Sequence, residues 1–365
     1  MQTRTLTKFQ SLYLDFVRIS AALCVFIYHL TGMPSNWPII EFIRNSHLGD
    51  YAVAVFFALS GYVIAYVTSE KERDFTQYAI NRAARVYSVA IPAIVLTLAA
   101  NCLLGIHYSW SDIFTISATS ILFANNLWWQ HIDLFNNAPY WSLSYEWWYY
   151  VLFGVACYLR GYLRWVVLLL AAALVGIKIL LLLPAWLFGV FAYRLQNKII
   201  ISQWMAIIVW VISSLVLLTL FFTGFYQWCY STLGHTIEQL FNRGLDDSQN
   251  AGFYYVIGFL ATANIFTVKY IYSNPAPWLA NSVSSAASYT FSIYLYQAPM
   301  LYMCMTWLYP HLGLVPSALV ALLCCALLGQ FTEKKKRISR NFFTRVAALF
   351  QRRSHQCGYK LSRSD

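Results

Sequence analysis

The chain alternates long apolar runs with short polar connections. A window of about twenty residues, the length that crosses a hydrocarbon core, predicts helical spans near 12–31, 50–69, 84–105, 141–159, 163–182, 184–196, 203–224, 251–270, 284–308 and 313–331. One stretch is ambiguous. From Arg164 to Arg194 the chain is apolar apart from Lys178, too long for one helix and short for two, with Pro184 as its only breaker. Basic residues decide the count. If the chain starts inside and crosses about ten times, the outer side holds only Arg44 and Arg243, whereas merging the fifth and sixth spans would put the basic carboxyl-terminal tail outside. The expected architecture is therefore all-α: a polytopic integral membrane protein of about ten transmembrane helices with both termini cytoplasmic. The long connections 32–49, 106–140 and 225–250 would be ordered outer caps.

Composition supports this class. Of 365 residues, 59% are hydrophobic and 11% charged, well below the roughly 25% charged of soluble domains. The first apolar run has no small-residue cleavage site after it, so it reads as a retained span and not a signal peptide. The net charge of +11 comes mostly from the tail between Lys334 and Arg363, which suits anionic lipid and not nucleic acid. The chain thus divides into a transmembrane domain, 1–331, and a basic cytoplasmic tail, 332–365. The eight cysteines show no C-x-x-C spacing and the outer histidines no ligand spacing, so neither a disulfide framework nor a metal site is expected.

Several ionisable groups fall inside the spans, where they are costly and usually mark a functional path. Arg18 and His29 stand eleven positions apart in the first span, on one helix face and roughly 16 Å apart along it. Asp15 joins that stripe one turn earlier, and a structural Asp15–Arg18 pair is the plainer alternative. Glu146 begins the fourth span at a depth expected to match His29. A carboxylate on one ring nitrogen fixes the tautomer and raises the basicity of the other, so the two would form a general-base pair, unless Glu146 only holds helices together. Arg82 and Arg85, at i and i+3 where the third span starts, suit phosphate through bidentate hydrogen bonds, although juxtamembrane arginines are commonly topology anchors. The aromatics from Trp128 to Tyr150 read mainly as an interfacial belt, with stacking on sugar rings as the alternative.

These residues resemble the membrane-bound acyltransferase 3 family of bacteria. Arg18 and His29 match its Arg-x10-His motif, and Phe56-Phe-Ala-Leu-Ser-Gly61 its Phe-Phe-x-x-Ser-Gly segment. Arg82 with Arg85 resembles its Arg-x-x-Arg stretch, Trp141-Ser-Leu-Ser-Tyr-Glu146 its Trp-Ser-Leu-x-x-Glu signature, and Ser288 to Tyr296 its Ser-Tyr-x-x-Tyr-Leu element. The five matches occur in family order.

The resemblance implies a membrane O-acyltransferase of the bacterial cytoplasmic membrane that moves an acyl group, commonly acetyl, from acyl-CoA to a hydroxyl of a carbohydrate or other cell-envelope or secreted acceptor. Acetyl-CoA would be a donor substrate, with no cofactor bound. It makes His29 the catalytic histidine, Glu146 its acidic partner and Arg18, Arg82 and Arg85 the donor-phosphate side. Asp15, Ser60, Trp141, Ser142, Tyr145, Tyr294 and Gln297 would support these or line the acceptor pocket. Direct attack and an acyl-histidine intermediate are both compatible with this set. Two departures matter: Gln297 stands where the family often has histidine, and Ser88 where it often has proline. Glutamine does not titrate near neutrality, so position 297 is expected to hydrogen-bond and not to exchange protons. The rival class is a proton-coupled transporter or flippase using the same ionisable groups as a relay; against it, no paired Gly/Pro-broken helices recur in two halves. Assembly into a homo-oligomer is left open.

Overall fold

A computed structural model describes residues 6–32, 37–72, 74–196 and 198–361, with side chains described up to Leu349. Arg363, counted in the basic tail, lies outside the described residues. The chain is helical throughout, and among the described residues no strand forms: Leu134 and Asn137 make one isolated bridge.

In chain order the helices are α1 (Lys8–Leu30), α2 (Pro38–Asn45), α3 (Leu48–Glu70), α4 (Phe75–Leu103), α5 (Trp110–Ile121), α6 (Trp141–Tyr158), α7 (Gly161–Val175), α8 (Ile177–Leu195), α9 (Gln203–Phe222), α10 (Phe225–Cys229), α11 (His235–Phe241), α12 (Ala251–Thr267), α13 (Pro277–Ala287), α14 (Thr290–Trp307), α15 (Tyr309–Leu312), α16 (Leu314–Phe331) and α17 (Lys336–Leu361). The ten expected apolar segments are helical, but 163–182 is broken between α7 and α8 and 284–308 between α13 and α14. Seven stretches of the described chain are long and apolar enough to cross a membrane: α1, α3, α4, α8, α9, α16 and the segment Asp246–Tyr270 that contains α12. α7 is apolar but shorter.

The division within 164–194 differs from the expectation. The chain breaks at Gly176, whose φ of +80° suits glycine, and a Cβ there would lie 2.7 Å from Trp128 Cα. Trp128 satisfies the end of α7, its backbone N–H donating to Val175 O at 3.1 Å and its Nε1 to Ala173 O at 2.9 Å. Pro184 is inside α8, where it removes a helix donor without ending the helix.

The connection 106–140 also departs from an outer cap. α5 descends beside α4 until Ile121 O accepts from Tyr87 OH at 3.0 Å, and the loop after it enters the bundle. Asn137 Nδ2 donates to Leu295 O at 2.9 Å and to Thr97 Oγ1 at 3.1 Å, while Phe123, Leu134 and Tyr140 are buried. Buried backbone at this depth is tolerable only where it is satisfied: Trp148 Nε1 donates to Phe123 O and Lys178 Nζ to Gln130 O, both at 2.9 Å. α6 therefore starts well inside the molecule. Tyr140, Tyr149 and Tyr150 belong to the core and not to an interfacial belt.

α3 and α8 make the closest helix contact. A Cβ on Gly189 would lie 1.9 Å from Ala58 O, and one on Gly61 2.0 Å from Trp186 O, so the backbones approach as small residues permit. That approach brings Trp186 Nε1 to Ser60 Oγ at 3.2 Å. α1 runs antiparallel to α3, with Tyr28 against Gly49.

Candidate active site

Two of the cavities beside α1 carry charged side chains. The first is lined by Arg18, Arg82, Arg85, Ser60, Ser142, Glu146, Tyr150 and Tyr294, with apolar residues of α3 from Ile64 to Val53. The second is lined by Tyr28, His29, Arg44, Ala298, Leu301 and Tyr302.

The three arginines are held differently. Arg18 pairs with Asp15 Oδ1 at 3.0 Å, so Asp15 is its counter-ion. Arg82 donates from Nη2 to Glu72 Oε1 at 2.9 Å, and Asn81 Nδ2 donates to the same oxygen at 2.9 Å. Glu72 is only 4% exposed, so this is a buried ion pair whose loss would strand a charge. The Arg85 guanidinium makes no hydrogen bond or ion pair among the described residues; it lies over the Phe291 ring, 5.9 Å from the centroid, and lines the cavity. Its donors are available to an anion.

Glu146 faces these arginines. Its Oε1 accepts from Ser60 Oγ at 2.6 Å and from Tyr150 OH, and its charge acts on Arg85. It forms no bond to His29, so the expected general-base pair is corrected: the two residues line different cavities at different depths. Gly49 marks the level of Tyr28, and Ser60, eleven residues further down α3, is roughly 16 Å away along the helix. Glu146 thus shares the level of Arg18. The sequence reading placed it too high because it counted depth from the start of α6, which the inserted loop has already carried inward.

His29 has a different carboxylate neighbour. Its Nδ1 lies 2.8 Å from Val25 O; a carbonyl only accepts, so Nδ1 carries the proton and Nε2 keeps its lone pair. Asp50 follows Gly49, which packs against the Tyr28 ring, and so stands near the His29 end of α1. Asp50 is itself fixed, Oδ1 accepting from Tyr254 OH at 2.9 Å and Oδ2 facing His47 Nδ1 at 3.3 Å. His47 stacks on Tyr226 at 3.8 Å. Sequence reasoning passed over Asp50 because it falls at the edge of a span, in the first turn of α3, where an acidic residue suits a helix start.

The remaining expected site residues separate into two groups. Ser60 and Ser142 line the first cavity with Tyr294, and Ser142 Oγ and Tyr294 OH are hydrogen-bonded at 2.6 Å. Tyr145 and Trp141 do not line it: Tyr145 OH bonds Ser248 Oγ at 2.8 Å, and Trp141 packs edge-on against Tyr145 and Phe57. Gln297 is fully buried between the cavities, on the α14 face that carries Tyr294 and Leu301; its Nε2 donates to Tyr294 O at 3.0 Å and its Oε1 has no partner. Lys178, unassigned in the sequence reading, is fully buried, donating to Gln130 O at 2.9 Å and to Asp246. It joins the inserted loop to the turn before α12. Among the described residues no group of three or more His, Cys, Asp or Glu side chains converges to hold a metal.

The first cavity extends along α3 from Ile64 to Val53, eleven residues or roughly 16 Å, and ends one turn from Asp50. Fold and cavities together define a membrane-embedded helical protein with an arginine-lined cavity along α3 and a separate cavity at His29. The chain belongs to the acyltransferase 3 family, whose model, described as an acyltransferase domain, matches residues 11–330. Membership makes it a multi-pass membrane acyltransferase. No curated protein and no solved structure matches it.

Proposed function

We propose that this protein transfers an acyl group, acetyl in the simplest case, from acyl-CoA to a hydroxyl of a carbohydrate or another cell-envelope or secreted acceptor. The observation that carries this reading is the arginine-lined cavity along α3, with the unpaired guanidinium of Arg85 on its wall and Asp50 one turn beyond Val53, its last α3 residue. Donor phosphates bind Arg85 and Arg18, with Arg82 held in place by Glu72, and the pantetheine arm follows the apolar α3 face toward His29.

His29 Nε2 takes the proton of the acceptor hydroxyl as its oxygen attacks the thioester carbonyl. The carbon–sulfur bond then breaks and the CoA thiolate recovers that proton from His29. Asp50 stabilises the imidazolium formed in between. In this reading the ten apolar helices cross the bacterial cytoplasmic membrane, both termini are cytoplasmic, the donor enters from the cytoplasm and the acceptor meets His29 from outside. Residues 1–331 form the transferase domain, CoA is a substrate and not a resident cofactor, and the protein needs no nucleic acid.

Purified protein incubated with labelled acetyl-CoA and envelope glycans should release CoA and label glycan, and His29→Ala should lose both while remaining folded. Full activity in a well-behaved His29→Ala variant would overturn the assignment.

A further inference from the structure

The junction between α16 and α17 is tied to α14 beside Phe291, which lines the arginine cavity. Glu333 Oε2 accepts from Ser292 N–H and Ser292 Oγ, both at 2.9 Å, and Ser292 follows Phe291, the ring beneath Arg85. The N–H of Lys336 bonds Glu333 O at 3.3 Å, so Lys336 stands one turn beyond that anchor. From there α17 runs along α4, where Phe343 packs on Tyr87 with ring centroids 5.5 Å apart, two residues from Arg85. Lys336 is exposed, whereas Arg18 and Arg85 line the cavity itself. Partial desolvation and the charge of Arg85 lower the pKa of Lys336 below the ordinary lysine value.

Coenzyme A carries phosphate at two places. The diphosphate joins the pantetheine arm, and the ribose 3′-phosphate is at the opposite end of the nucleotide. If the arm enters the channel and the diphosphate meets Arg85, the 3′-phosphate is left at the mouth. The geometry points to Lys336 as the residue that binds the ribose 3′-phosphate of the donor, which makes the α16–α17 junction part of the donor site. This rests on the acyl-CoA reading above. Lysine suits the role as a mobile point charge on an exposed phosphate, and Glu333 positions it by fixing the junction to α14.

The test is equilibrium binding of CoA and 3′-dephospho-CoA to the full chain in lipid nanodiscs. Wild-type protein should bind CoA about threefold to tenfold more tightly than dephospho-CoA. Lys336→Gln should bind both at the dephospho-CoA level, Lys336→Arg should keep the discrimination, and Lys334→Gln, which removes a neighbouring tail charge, should leave it unchanged. Equal binding of the two ligands by wild type, retained discrimination in Lys336→Gln, or an equal loss in Lys334→Gln would each overturn the assignment. Failure of wild type to bind either ligand would instead overturn the acyl-CoA reading.

Discussion

Replacing Glu146 separates two roles for this carboxylate. In the structure it ties α6 to α3 by accepting from Ser60 Oγ at 2.6 Å and, within its own helix, from Tyr150 OH. Hydrogen bonds to a charged acceptor contribute about 1.5–3 kcal/mol each in water-soluble proteins, and nearer about 1 kcal/mol in a bilayer, where the unfolded reference also finds partners. Ser60 and Tyr150 lie 3.2 Å apart and can pair with each other once the carboxylate is gone, recovering part of the loss. Glu146→Ala should therefore destabilise the protein by about 1–2 kcal/mol, lowering the melting temperature in detergent by on the order of 2 °C. Glu146→Gln keeps an acceptor oxygen and should lose about half as much. Because Glu146 faces Arg85 and not His29, Glu146→Gln should alter the KM for acyl-CoA more than kcat. The assay pairs thermal unfolding followed by tryptophan fluorescence with initial rates at varied donor concentration. Wild-type stability in Glu146→Ala, together with a fall confined to kcat in Glu146→Gln, would refute this placement and return Glu146 to His29.

The other variants distinguish neighbouring residues of similar chemistry. Arg82→Gln should destabilise by about 3–5 kcal/mol because it leaves Glu72 buried and unpaired, a loss read by thermal unfolding, and Glu72→Gln in the same chain should restore part of it. Arg85→Gln should leave the melting temperature near wild type and raise the donor KM by about tenfold or more, measured from steady-state rates. Asp50→Asn should lower kcat on the order of 10²-fold at an unchanged donor KM, since it stands at the far end of the channel from the arginines; an unchanged kcat would remove it from the His29 pair. CoA affinity should fall as pH rises toward the lysine range, because anion binding favours the protonated form of Lys336. That fall should be absent from titrations of Lys336→Gln.

Much of the helical architecture was legible in the run lengths, because a helix must be long and apolar to cross hydrocarbon. What misled was depth. Hydropathy does not reveal that residues 122–140 fold back into the bundle, since the loop owes its burial to side-chain amides of Asn125 and Asn137, which look polar in sequence. The ambiguous stretch broke at Gly176 and not at Pro184 for a related reason. A left-handed turn packed under Trp128 is a tertiary requirement, whereas a proline inside a membrane helix is tolerated. The motif spacings did bring Arg18, Arg85, Glu146, Ser60 and Tyr294 around one cavity. They gave no sign of Asp50, which meets Tyr254 from a helix distant in sequence, or of Lys336.

The offset between Arg85 and His29 acts as a ruler for the donor. An anion anchored at the arginines must present its acyl carbon roughly 16 Å further along the helices, so the carrier needs a long, slender, uncharged arm. Pantetheine meets that requirement, while an acyl phosphate, whose carbonyl is bonded directly to a phosphate oxygen, falls short by nearly the whole distance. Selectivity among activated acyl groups would then come from reach more than from recognition of the acyl group itself, and the nucleotide could remain at one face of the bundle while only the group it carries passes to the other.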